Sequence, residues 1–157
     1  MYFRDIMSLT SLKINAFLFF KLPTAYFCGV RLKSIDKHKC ITTVKHRWIN
    51  QNPFGSMYFA VQAMAAELTT GALVLSYIKE TGKNISMLVV QQKGIYTKKA
   101  VGRITFCCTD GEKVLQALQE TLHSGEGISF WMTSVGKDET GEEVSTMEFE
   151  WRVKVKN

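Results

Sequence analysis

The sequence predicts an α+β domain built on a mainly antiparallel sheet. Three observations carry that expectation. Met147, Phe149, Trp151, Val153 and Val155 alternate with Glu148, Glu150, Arg152 and Lys154, the pattern of a strand with one buried and one wet face. The stretch from Ser56 to about Lys79 is the longest helical pattern in the chain. The remaining apolar runs are short and closely spaced, as the strands of an antiparallel sheet are.

The bulk properties agree with a single domain over residues 1–157, long enough to bury its own core. With 46% hydrophobic and 22% charged residues, the composition is that of a soluble globular protein and not of a disordered one. The net charge of +6 favours anionic partners such as nucleic acid, anionic lipid or a phosphorylated cofactor. The basic residues are spread along the chain, however, and Lys37–Lys39, Lys98–Lys99 and Arg152–Lys156 read as solvated surface, so no nucleic-acid partner is expected. Cys28, Cys40, Cys107 and Cys108 form no C-x-x-C pair, and His38, His46 and His123 are scattered, so no metal site can be written. Inert thiols in a reduced, cytoplasmic compartment follow. The adjacent Cys107 and Cys108 should point to opposite faces of one strand.

The elements follow in order. Leu9, Leu12, Ala16, Phe19 and Phe20 suit a short amphipathic helix over about residues 8–20, stopped near Pro23. Lys13 and Lys21 bracket the apolar Ala16–Phe20 too closely for a secretory or membrane-spanning segment. Packing of this helix onto the domain is expected, with a membrane-surface placement as the alternative and no stable insertion. Either Met1 or Met7 could be the start.

Val30 to Trp48 reads as a hairpin around the polar turn Asp36–Lys39, followed by an irregular segment to Gly55. Ser56 is the expected N-cap of the long helix, Gly82 lies near its end, and Gly71 weakens it locally. Ile85–Gln91 is a strand, Lys93-Gly94 a turn, and Ala100–Cys108 a further strand. A helix is expected from Gly111 to His123, with a Thr109/Glu112 capping box, a stripe of Val114, Leu115, Leu118 and Leu122, and Gly125 as its stop. Ile128–Val135 precedes the final strand. The chain shows no repeat and no interdomain linker.

One segment carries a chemical signature. Asn52-Pro-Phe-Gly55-Ser-Met-Tyr58-Phe-Ala60, continuing to Glu67, resembles the motif that opens the central helix of hot-dog thioesterases of the phenylacetyl-CoA-thioesterase-like group. That group shows Asn-x-x-Gly, then His-Gly-Gly three residues after the Gly, then an acidic residue nine positions after the His. Asn52 and Gly55 match the first element and Glu67 takes the acidic position, whereas Tyr58 replaces the His and Phe59-Ala60 replace Gly-Gly. The stretch Lys21–Gly29 resembles a less characterised thioesterase subgroup of the same fold.

The resemblance implies a hot-dog fold, an antiparallel sheet wrapped around a long central helix. It also implies an acyl-CoA substrate hydrolysed at a dimer interface, in a homodimer or a dimer of dimers, with coenzyme A entering as part of the substrate and no separate cofactor. On that basis Glu67 is the base or nucleophile and Asn52 holds the carbonyl or the water. Tyr58, in the place of the His, is a catalytic residue that approaches Glu67 of the other copy. Gly55 and Phe59, with the backbone N–H groups at the helix N-terminus, face the thioester oxygen, and Ser86 supplies a hydroxyl from the next strand. Lys93, Lys98, Lys99 and Arg103 are candidates for the coenzyme A phosphates.

Helix geometry speaks to the same residues independently. Tyr58 and Glu67 are nine positions apart, about 180° around an α-helix, so a single pocket using both needs two copies of the helix. Thioester hydrolysis needs a carboxylate to activate water or attack the carbonyl, and donors aimed at the developing oxyanion. Glu67 among Ala60, Ala63, Met64, Gly71 and Val74 can be desolvated, which raises a carboxyl pKa. Each residue also has an ordinary reading: Asn52-Pro53 as turn chemistry, Tyr58 as a packing aromatic, Ser86 as a structural hydroxyl, and the basic residues as solubilising surface. The alternative function is a non-catalytic acyl-binding or regulatory module. A hydratase fits less well, because hot-dog hydratases pair a His with the acid and this segment contains none. No G-x-S-x-G elbow, P-loop or G-x-G-x-x-G fingerprint occurs.

Overall fold

The computed structural model describes residues 11–156. In order, the elements are α1 (Ser11–Lys21), α2 (Pro23–Phe27), β1 (Arg31–Ile35), β2 (Cys40–Lys45), a single 3-10 turn (Trp48–Asn50), α3 (Phe59–Thr81), β3 (Ile85–Tyr96), β4 (Arg103–Cys108), α4 (Gly111–Ser124), β5 (Ile128–Lys137) and β6 (Glu143–Val155). The six strands make one sheet in the order β1-β2-β4-β5-β6-β3, and every neighbouring pair is antiparallel. The long helix α3 lies across this sheet and touches all six strands. By length and apolar composition α3 resembles a membrane span, but 56% of that window is buried inside the domain.

Alternation decides the faces. In β6 Met147, Phe149, Trp151 and Val153 are buried under the helix side, while Arg152 and Lys154 are exposed on the other. Cys108 is buried in the core and its neighbour Cys107 turns to the opposite face, as the strand pleat requires. All four cysteines are free thiols.

Buried polar groups pin α3 in one register on the sheet. The Thr42 hydroxyl on β2 donates to the Ala65 carbonyl at 2.7 Å, and Thr69 donates to Ser134 on β5 at 2.8 Å. From β6, Ser145 donates to the Gln62 amide oxygen at 3.0 Å and the Trp151 indole N–H donates to Thr70 at 3.0 Å. Each of these groups would be costly to bury unpaired, so sliding the helix by one residue is disfavoured.

Several local expectations change. Helix α1 stops at Lys21 as anticipated, but Pro23 starts a second short helix, because its fixed φ and missing N–H suit a first helical position. Residues 8–10 of the expected N-terminal helix lie outside the described residues. Ser56 does not cap α3; the N-cap is Tyr58, which makes no side-chain capping bond. Gly82 ends α3 in the left-handed conformation, with φ 63°. Lys93-Gly94 is not a turn: β3 runs through it, paired with Glu148 and Met147 of β6, and a bulge near Val90 absorbs the irregularity. The Thr109/Glu112 capping box does not form; Asp110 precedes α4, and its carboxylate accepts the Thr133 N–H at 2.7 Å and pairs with Lys113 at 3.0 Å. Leu122, expected in the buried stripe of α4, is exposed, and Thr121 takes the buried position.

Candidate active site

The approach to α3 is shaped by the Asn52 turn. The Asn52 side-chain oxygen accepts the Phe54 N–H at 2.9 Å and the Ser56 N–H at 3.2 Å. Its amide nitrogen donates to Ser56 Oγ at 3.0 Å and to the Met57 carbonyl at 3.4 Å. Gly55 closes the turn with φ 72°, a conformation that favours glycine, and its N–H donates to the Asn52 carbonyl. Asn52 is thus spent on its own loop, and the expected contact to a substrate carbonyl or water has no free donor in this arrangement.

Beyond the turn, Met57 N–H bonds to the Ala100 carbonyl and Tyr58 N–H to the Asn50 carbonyl, which fixes where α3 begins. Tyr58 and Phe59 are 46% and 54% exposed, with their rings edge-to-face at 4.8 Å, and Phe59 also meets Tyr96 of β3 at 6.2 Å. The backbone N–H groups of Phe59 and Ala60 have no acceptor among the described residues. As first-turn donors at the positive end of a 23-residue helix, they favour a negatively charged or polarised oxygen.

Glu67 lies two and a half turns after Tyr58, about 13.5 Å along the helix. It is half-buried, and no donor among the described residues bonds its carboxylate. Burial alone holds its carboxyl above the ordinary range. The side chain reaches forward along α3 over Gly71, beside the indole of Trp151, whose N–H is already committed to Thr70. A carboxylate kept partly dry and left without donors is a competent proton acceptor.

The other expected residues divide. Ser86 does not join Glu67: it points to the face of β3 opposite Ile85 and Met87, and donates to the Lys154 carbonyl at 3.1 Å. Lys93 is on the outer face, with its ammonium 4.3 Å from the centroid of the Trp131 ring. Lys98 is paired with Asp138 at 2.7 Å and with Glu142, which raises its pKa and lowers that of Asp138. Arg103 starts β4 across from Lys45. Lys99 alone of the four reaches the loop, donating to the Phe54 carbonyl at 3.4 Å. An open depression of about 420 Å³ beside the turn is lined by Trp48, Ile49, Gln51, Asn52 and Pro53. Glu67 does not line it.

Trp151 and Tyr96 were not singled out from sequence as part of these surroundings. Trp151 could have been: it is a large inward residue of β6, and Gly71 stands four positions after Glu67, where a helix-interior glycine signals a close approach. The Tyr96–Phe59 contact left no signal, because it depends on β3 running past Lys93-Gly94.

Comparison with known proteins adds the family and the fold. The family model "Domain of unknown function (DUF4442)" matches residues 12–153. Among curated proteins none matches. The solved structure of PA5026 from Pseudomonas aeruginosa, a protein of unknown function described as a probable thioesterase, is 20% identical, covers 94% of this chain and 97% of its own, and superimposes with a TM-score of 0.79. A Chlorobaculum tepidum protein of unknown function is 18% identical over 94% of both chains, with a TM-score of 0.78. The thioesterase HI1161 from Haemophilus influenzae is 13% identical, with 94% and 92% of the two chains covered and a TM-score of 0.70. At these identities the likeness shows the fold, an antiparallel sheet around a long helix, which is the hot-dog architecture.

Proposed function

Because this chain belongs to the DUF4442 family and has the hot-dog fold, we propose that it is an acyl-CoA thioesterase whose site is completed by a second copy of the chain. The observation that carries the reading is Glu67, half-buried, without donors among the described residues, and with its carboxyl held above the ordinary range by burial. Glu67 of one copy takes a proton from water as the water oxygen attacks the thioester carbonyl. The Phe59 and Ala60 N–H groups of the other copy hold the oxyanion. The carbon–sulfur bond then breaks, the thiolate takes up the proton, and a carboxylic acid and free coenzyme A leave. Lys99, beside the Asn52 turn, is the cation best placed for a phosphate of coenzyme A.

The second copy has a natural place. β3 is an edge strand twelve residues long, with Leu88, Val90 and Ile95 exposed, and such an edge pairs readily with its own copy. Four free thiols suit a reduced, cytoplasmic compartment.

The test is release of free thiol from short, long and aromatic acyl-CoAs. Wild type is expected to turn over at least one, and Glu67→Ala to lose roughly 10²–10⁴-fold in rate. Equal rates for the two proteins sink the assignment. The second reading, an acyl-binding module without turnover, is favoured by the closed hydrogen bonding of Asn52 and by the side chains at Phe59 and Ala60. Tight acyl-CoA binding with no thiol released across the panel is its signature.

A further inference from the structure

The basic residues are spread along the chain, but the acidic ones are not. Residues 11–66 carry eight Lys and Arg side chains and a single acid, Asp36, whereas residues 67–156 carry eleven basic and twelve acidic side chains. The excess positive charge therefore belongs to the N-terminal part, and no acid occurs at all between residues 11 and 35.

That same part bears an aromatic surface unused by the proposed site. Ile14 and Leu18 bury one face of α1, and the Asn15 side chain bonds both backbone groups of Leu32 on β1. The opposite face leaves Phe19 and Phe20 outward, Phe20 74% exposed, and Phe27 of α2 is 57% exposed beside them. These rings form one cluster: Phe19 meets Phe20 at 5.0 Å, Tyr26 at 5.1 Å and Phe27 at 5.9 Å. Cations rim it. The Arg31 guanidinium covers the Tyr26 ring at 3.8 Å, the Arg47 guanidinium lies over Gly29 at the end of α2, and Lys21 is exposed between Phe20 and Leu22.

Exposed aromatic rings rimmed by cations, on a segment that carries no acid from residue 11 to 35, match the interface of an anionic bilayer: rings at the headgroup level and guanidinium and ammonium groups on the phosphates. We propose that the α1–α2 face docks the protein on an anionic phospholipid surface, peripherally and without any spanning helix. The position suits this role. α1 and α2 lie at the β1 end of the sheet, opposite the β3 edge, so pairing of two copies through β3 leaves the face free. Phe20 and Phe27 then enter the headgroup region while Lys21 and Arg47 meet lipid phosphates; Arg31, half-buried and bonded through Nη1 to the Tyr26 and Val30 carbonyls, steadies the Tyr26 ring.

Flotation of the full chain with vesicles tests this, using phosphatidylcholine alone and equal parts phosphatidylcholine and phosphatidylglycerol. Wild type is expected to float with the anionic vesicles and not with the neutral ones, and to be released by high salt. Lys21→Glu is expected to weaken binding at least fivefold, and Phe20→Ser/Phe27→Ser to abolish it while the protein still melts cooperatively, its midpoint somewhat lowered by the loss of two ring contacts to Phe19. Failure of wild type to float, equal flotation with neutral vesicles, or full binding by Lys21→Glu overturns the proposal. So does a fall in sedimentation mass of the Phe20→Ser/Phe27→Ser protein in lipid-free buffer, which would make the face a contact between copies.

Discussion

The Glu67 carboxylate occupies the space that Gly71 leaves free one turn further along α3. A methyl group at Gly71 would stand 3.0 Å from Glu67 Oε1 and 3.3 Å from the Trp151 ring. Those distances are too short for all three groups to stay where they are.

Gly71→Ala is therefore expected to move the carboxylate by a few tenths of an ångström toward solvent. Alanine is the better helix former by about 1 kcal/mol, which offsets part of the crowding, so the melting point should move little. Thioester hydrolysis should fall roughly tenfold through misplacement of the base. Steady-state rates and a thermal melt on the same preparation check both halves.

Glu67 also links stability to pH. Its carboxyl is raised in the folded chain and ordinary in the unfolded one. Its favourable contribution is thus complete below the unfolded value and is lost as pH rises through the folded value. Glu67→Gln should melt higher than wild type near neutrality, with the gap closing in mild acid. In the active protein the acidic limb of the rate profile should lie above the ordinary carboxylate range, and its absence would separate the base from Glu67.

Asn52 is expected to behave as a turn residue. Asn52→Ala loses acceptors for two backbone N–H groups and should cost about 2 kcal/mol. Asn52→Asp keeps the acceptor and should melt between the alanine variant and wild type. Denaturant titrations of the three proteins give the order directly.

Gly111 tests the fold away from the site. A methyl group there would lie 1.9 Å from the Lys37 carbonyl oxygen, which is backbone and has nowhere to go. Gly111→Ala should destabilise by about 3 kcal/mol, read as a lower urea midpoint.

The elements legible in the sequence are those whose pattern is their own. β6 shows its alternation, α4 most of its stripe, and α3 its length and its closing Gly82. What was hidden depends on partners distant in sequence. Lys93-Gly94 looks like a turn locally, yet eleven paired positions with β6 hold it extended. Ser56 looks like a cap but is drawn into the Asn52 turn. Thr109 and Glu112 have capping-box spacing, but Asp110 takes the place before the helix and bonds β5 instead. At the candidate site, the half-buried setting of Glu67 was legible from its small apolar neighbours, whereas the start of α3 was not, since it falls at Phe59 and not at Ser56. The orientation of Ser86 was not, because it follows from the register of β3 against β6.

The bond between Asn15 and Leu32 has a consequence for how copies of this protein can add to one another. The Asn15 side chain accepts the Leu32 N–H at 3.1 Å and donates to the Leu32 carbonyl at 3.4 Å, standing in for a seventh strand at that point, and an irregularity between Leu32 and Ser34 breaks the line further. One margin of the sheet is therefore plugged and the other, along β3, is open. On the proposed pairing through β3, the row therefore stops at two copies, because the far margin is closed. Asn15→Ala would leave the Leu32 N–H and carbonyl unpaired, yet Ile14 and Leu18 of α1 would still cover that margin, so the closure is redundant.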